Sequence, residues 1–167
     1  MPNITFDQFI EKWTGKVCDY DNFYGSQCVD LFDYYCFDVL GLSDAYIRKN
    51  LFVTNPIELY ARTLIDFEKI GNTLFNYPQK GDIAIWGSNV GVNGHISIVT
   101  EANILNLKSF DANWPVGALP HIQDHNYTGM LGWLRFKSTP VSPQDATGEV
   151  FKEACRQIKA IVDSVGA

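Results

Sequence analysis

Between residues 67 and 82 the hydrophobic rhythm of the chain changes, and this change restricts the fold more than any other feature. Before it, apolar residues recur at helical spacing; after it, they alternate with period two. Thr5 and Gln8 make a capping box, Phe6, Phe9, Ile10 and Trp13 form a stripe, and Gly15 ends a first helix. Leu31, Phe32, Tyr35 and Val39 lie on one stripe of a second helix, stopped by Gly41. A short helical turn is expected over Ser43 to Asn50. Asn55, Pro56 and Glu58 read as cap, first-position proline and first-turn acid of a further helix running to about Phe67. Beyond the Pro78-Gln79-Lys80-Gly81 turn, four stretches read as strands: Asp82 to Trp86, His95 to Glu101, part of Ile104 to Trp114, and Met130 to Phe136. Helices first and strands after, spaced by short Gly/Asn turns, predict an α+β domain with an antiparallel sheet.

A chain of 167 residues that is 46% hydrophobic and 14% aromatic can bury one ordinary core, so disorder is excluded. Net charge is −6, and no run of Lys or Arg exceeds two residues, which argues against nucleic acid as a partner. No apolar run approaches a membrane span, and the N-terminus lacks the basic-then-apolar pattern of a signal peptide. Membrane insertion is therefore not expected. Cys18, Cys28, Cys36 and Cys155 form no CxxC pair, which argues against zinc or a redox motif, and reduced thiols made in a cytosol are expected. The organisation expected is one domain over 1–137, a linker over 138–147 rich in Ser, Thr and Pro, and an amphipathic helix over 148–167. That helix has three possible uses: docking on the domain, self-association, or membership of a further module.

Chemistry concentrates in four places. Cys28 falls in the first turn of the second helix, with Ser26 or Gln27 near its cap, where the helix dipole favours a thiolate. His95 follows Gly94 at a strand start, so its imidazole can reach over the sheet edge. Asp111 and Asn113 are two apart in a strand and so are expected on one face, where polar groups require hydrogen-bond partners. A Cys at a helix N-terminus, then a His on a strand, then an acid or amide on the next strand is the chain order of papain-like thiol hydrolases. The fourth place is the loop Asp19-x-Asp21-x-Phe23-x-Gly25, whose alternation can turn successive oxygens inward around a hard cation such as Ca²⁺. Asp30, two residues past Cys28, is expected to face back toward that loop.

Four segments carry a family resemblance: Asp19-x-Asp21-x-Phe23-x-Gly25-x-Gln27-Cys28-Val29-Asp30-Leu31, Lys80-Gly81-Asp82-Ile83-Ala84-Ile85-Trp86, Gly94-His95-Ile96-Ser97-Ile98-Val99 and Phe110-Asp111-Ala112-Asn113-Trp114-Pro115. Together, over roughly Phe6 to Lys137, the chain resembles the CHAP family of cysteine- and histidine-dependent amidohydrolases and peptidases. It is most like those in bacteriophage endolysins. The resemblance implies a papain-like (NlpC/P60-like) fold, helices packed on an antiparallel sheet, and hydrolysis of an amide bond in bacterial peptidoglycan. It implies Cys28 as nucleophile, His95 as base and then acid, Asp111 as the group orienting the imidazole, where relatives often carry Glu, and Asn113 as a fourth polar residue. Cys28 N–H and Gln27 are the expected oxyanion donors. Asp19, Asp21 and Asp30 by carboxylate, and Phe23 and Gly25 by carbonyl, are the expected calcium ligands. Trp86 and Trp114 are candidates for substrate contact. The resemblance further implies a protein made in the host cytoplasm and acting on the cell wall, released by phage or carried on the virion. An acidic chain gains no attraction to an anionic wall, so a wall-binding domain, a partner or aromatic grooves are expected to supply targeting. An amidase of small molecules and a catalytically idle wall-binding or virion module are the alternatives on this fold.

Overall fold

The computed structural model describes residues 3–137, so the expected linker over 138–147 and helix over 148–167, with Cys155, lie outside the described residues. Helix α1 (Phe6–Trp13) has the expected capping box, Thr5 accepting from Gln8 N–H and Gln8 from Thr5 N–H. Helix α2 (Cys28–Asp38) follows the acidic loop. Helix α3 (Asp44–Tyr46) runs into a π-helical turn at Ile47–Leu51, and α4 spans Pro56–Ala61 with Asn55 accepting from Ile57 N–H at its cap. The expected extension of α4 to Phe67 does not occur. Arg62 is already extended, and its guanidinium donates to the carbonyls of Asn50 and Phe52 at 3.1 and 3.2 Å, tying the helix end to the preceding turn.

Phe67–Gly71 instead forms strand β1. The others are β2 (Ile83–Trp86), β3 (His95–Ala102), β4 (Asn106–Asp111), β5 (His121–Asn126) and β6 (Met130–Phe136). They make one antiparallel sheet in the order β1-β6-β2-β3-β4-β5. Two strands were not read from the sequence, β1 and β5, and both are edges.

Alternation along the central strands divides the core. Ile83, Ile85, Ile96, Ile98, Phe110 and Leu134 face Phe9, Leu31, Phe32, Tyr35, Cys36 and Leu59 from the helices. The opposite set, Ala84, Trp86, Val99, Leu107, Met130 and Trp133, forms a second, smaller cluster. Strand β2 is thus buried on both sides. Two polar ties fix the helices and strands in register: the Tyr35 hydroxyl donates to Gly81 O at 3.0 Å, and Arg135 pairs with the buried Asp82 carboxylate at 2.6 Å. The result brings the start of α2 to the end of the sheet where β3 begins.

Candidate active site

Gln27 caps α2 in an extended conformation, and Cys28 is its first helical residue. Asp30 holds this start from below. One of its oxygens accepts from Gln27 N–H at 2.8 Å and the other from Tyr20 N–H at 2.9 Å. One buried carboxylate therefore joins the acidic loop to the turn that carries the thiol, as expected of a side chain facing back toward the loop.

His95 opens β3 opposite Trp86 of β2. Gly94 before it has φ +72°, and a Cβ there would collide with Trp86 O and approach Ile57 at 2.8 Å, so only glycine lets the chain enter the strand this closely. The imidazole is buried and sandwiched, with ring centroids 4.7 Å from Trp114 and 5.8 Å from Trp86. Its Nε2 hydrogen-bonds Asp111 Oδ1. That leaves Nδ1 for Cys28. Burial alone would lower the His95 pKa, but hydrogen bonds to Asp111 and Cys28 and the charges of both outweigh it and raise the pKa to about 9. Asp111 is fully buried. Burial would raise its pKa, yet hydrogen bonds from His125 and His95 hold the carboxyl down at about 2. Its second oxygen accepts from the Ser109 hydroxyl at 2.5 Å and from His125 Nε2 at 2.9 Å.

Asn113 does not share the face of Asp111. Strand β4 ends at Asp111, and Asn113 lies in the following turn with φ +60°, a left-handed conformation that asparagine tolerates better than most residues. Its Nδ2 donates to Gln27 Oε1 at 2.8 Å, and its Oδ1 accepts from Gly117 N–H at 2.6 Å. Asn113 therefore steadies the residue before the thiol, not the imidazole. Trp86, expected beside Trp114 as a substrate contact, is buried under His95 and His125 and stays out of the cavity wall. Trp114 does line that cavity. Ser109 and His125 were not read from the sequence as site residues. Ser109 stood two positions before Asp111 on the same strand face, which was a usable signal; His125 sat on an unrecognised strand.

The acidic loop brings oxygens of Asp19, Asp21 and Asp30 within 4.8 Å of one another. Phe23 N–H donates to Asp19 Oδ1 and Asp21 Oδ1 at 3.0 and 2.7 Å, curling the loop, and Asn22 and Tyr24 adopt positive φ within it. Three convergent carboxylates are the donor chemistry of a hard divalent cation, so these residues fit calcium.

Cys28, Gln27, His95, Asn113 and Trp114 line one cavity of about 630 Å³, walled by Phe23, Tyr24, Val53, Pro56, Val92 and Val116. A helix-borne thiol beside a carboxylate-held imidazole in an open cavity can carry out nucleophilic acyl transfer. Residues 18–110 match the model of the CHAP domain. The chain is 29% identical over 178 residues to the probable autolysin PH of Staphylococcus aureus (strain NCTC 8325 / PS 47), a match covering 91% of this chain and 35% of the relative. It thus spans about a third of that protein's length. It is also similar to the crystal structure of the wild-type endolysin LysIME-EF1, with a TM-score of 0.64 and 26% identity over 82% of this chain and 66% of that one. With more than half of its length matched by the family model, this chain belongs to the CHAP domain family.

Proposed function

We propose that this protein hydrolyses an amide bond in the peptide of bacterial peptidoglycan, as an N-acetylmuramoyl-L-alanine amidase or an endopeptidase. The observation that carries the reading is Cys28 at the start of α2 against an imidazole held by buried Asp111, both in one cavity. The printed names of an autolysin and an endolysin among its likenesses support the wall as substrate. In this reading the Cys28 thiolate attacks the amide carbonyl carbon, forming a C–S bond. Negative charge on the carbonyl oxygen is met by the Cys28 backbone N–H, which has no intrahelical acceptor in the first turn, and by the side-chain amide of Gln27. The C–N bond then breaks as His95 gives its proton to the leaving amine. Water, losing a proton to His95, attacks the thioester, and the carboxylic acid and thiolate are regenerated. Asp111 keeps the His95 ring in place throughout, as imidazolium and as imidazole.

The acidic loop is proposed to hold Ca²⁺ through the carboxylates of Asp19, Asp21 and Asp30 and the carbonyls of Phe23 and Gly25. An ion there would supply positive charge against three converging negative ones. Targeting to the wall is assigned to a further domain, a partner or the aromatic surface beside the cavity, and the uses proposed for 148–167 are docking on the domain, self-association or membership of a further module.

The test uses purified sacculi. The protein should lower their turbidity, and mass spectrometry should map new N-termini to one peptide position. Cys28→Ala, which removes a small side chain at a cavity edge, should abolish the loss while leaving thermal unfolding unchanged. Clearance by folded Cys28→Ala above about one percent of wild type would remove Cys28 from the nucleophile role. No clearance by wild type, with cleavage of a small amide, would favour the small-molecule amidase.

A further inference from the structure

Asp111 has two histidine partners, not one. On the side away from His95, His125 of strand β5 points Nε2 at Asp111 Oδ2, 2.9 Å away, and its side chain is only 8% exposed. The ring is fixed by aromatic packing, 4.9 Å from Trp86 and 5.8 Å from Trp114 between centroids. The same two indoles enclose His95, and the two imidazoles lie 6.3 Å apart. Packing of this kind would be satisfied by any flat ring. A histidine there adds one thing, an N–H directed at a buried carboxylate.

We propose that His125 is a positioning residue for the reaction: its Nε2–H, with the Ser109 hydroxyl, fixes the Asp111 carboxylate and draws charge from it, so that Asp111 orients His95 without locking the proton onto it. The proposal rests on Cys28 and His95 acting as nucleophile and base. A carboxylate has about four acceptor sites, and each donor that occupies one both restricts its rotation and reduces its pull on the next proton. Asp111 divides these donors cleanly: Oδ1 serves His95, while Oδ2 takes Ser109 and His125. Without them the carboxylate could turn about its Cα–Cβ and Cβ–Cγ bonds and would bind the His95 proton more tightly. Both effects slow the cycle, because His95 must surrender that proton to the leaving amine.

The titratable groups around His125 are few. Asp111 lies on β4, His95 on β3, and beyond His95 stands Cys28 at the start of α2. His121 shares the strand face but bonds Leu119 O and Gln123. Lys108 and Asp124 are register partners on the opposite face.

Two substitutions separate the ring from the donor. His125→Phe keeps the aromatic packing and loses the N–H; His125→Gln loses the ring and places an amide N–H at the position of Nε2. The readout is the rate at which iodoacetamide alkylates Cys28, located by peptide mass spectrometry, as a function of pH. It requires no peptidoglycan, and wall clearance is measured beside it. In wild type the profile should show an upper limb at the loss of the His95 proton. His125→Phe should move that limb upward by about half a pH unit and slow wall clearance about tenfold. His125→Gln should restore both. Near-ultraviolet circular dichroism checks that each variant is folded. Should His125→Phe not fold, ¹⁵N spectra of the wild-type histidines decide instead, since the proposal requires His125 to be the Nε2–H tautomer. An unmoved or lowered limb in folded His125→Phe, a Gln variant no better than Phe, or the Nδ1–H tautomer overturns the proposal. A wild-type profile with no limb at His95 overturns the Cys28–His95 reading and this inference with it.

Discussion

Asp111 and Asn113 are near neighbours in sequence with the same polar character, yet their contacts assign them different work. Asp111 reaches the imidazole; Asn113 reaches Gln27, one residue before the thiol. Replacing Asp111 by Asn removes the charge that stabilises an imidazolium and offers an N–H where two histidines and a serine already donate. Asp111→Asn should lower wall clearance by roughly a thousandfold or more. Asn113→Ala leaves the His95–Asp111 pair intact and frees the Gln27 side-chain oxygen and the Gly117 N–H, so its loss should be about tenfold. Clearance rates at saturating sacculi, with melting curves to confirm folding, give the ranking. The reverse order would make Asn113 the orienting group. At this scale the sequence was informative where one residue type has one use: Cys28 at a helix start, His95 after a glycine. It misled at Asn113, because two-residue spacing implies a shared face only while the strand continues, and β4 stops at Asp111.

At the scale of elements, the loop before α2 and the helix itself behave as one unit, because Asp30 bonds the loop at Tyr20 N–H and the cap at Gln27 N–H. Calcium binding to Asp19, Asp21 and Asp30 should therefore raise the melting temperature, and chelation should lower both stability and wall clearance, reversibly. A ligand at about a hundred times its dissociation constant adds roughly 2.7 kcal/mol. Asp21→Ala should reproduce chelation and lose the response to added calcium; equal melting in chelator and in calcium would reduce the loop to a solvated acidic turn. One turn further along α2, Asp33 is buried with Oδ1 unpartnered, and burial, then the charges of Asp30 and Asp21, push its pKa up to about 8. The unfolded chain releases this proton near the ordinary value of 3.8, while the folded chain keeps it to about 8. Stability thus falls as pH rises between those values and levels off above them. Asp33→Asn does not titrate. In chelator, its melting temperature should fall less than that of wild type over this range, and parallel curves would show that Asp33 ionises freely in the fold. The elements legible in advance were α1, α2, the helical turn after Ser43, the start of α4, and strands β2, β3, β4 and β6. Strand β5 escaped because it is an edge whose inward positions are His121, Gln123 and His125, leaving Ile122 as its one aliphatic residue. Helix α4 was overrun because nothing in its composition marks the stop that Arg62 makes with the preceding turn.

On the scale of the whole molecule, charge opposes the proposed substrate. The chain carries −6, and among the described residues no Lys or Arg lines the cavity around Cys28. The segment after residue 137 does not offset this, with Lys152, Arg156 and Lys159 against Asp145, Glu149, Glu153 and Asp163. An acidic protein approaching an anionic wall meets repulsion over a distance set by the Debye length, about 30 Å at 10 mM salt and about 8 Å at 150 mM. Attraction must then come at short range, and the exposed Phe23, Tyr24, Val92 and Val116 beside the cavity are apolar surface of the kind that salt does not weaken. Wall clearance at fixed calcium should therefore rise several-fold as salt increases from about 10 to about 150 mM, through faster encounter and not faster turnover. The rise should shrink when exposed carboxylates that do not line the cavity, such as Glu11 or Glu68, are changed to Gln. Turbidity loss across a salt series reads the effect directly. A rate that falls steadily from the lowest salt would mean that attraction between charges, not apolar contact, brings this chain to the wall.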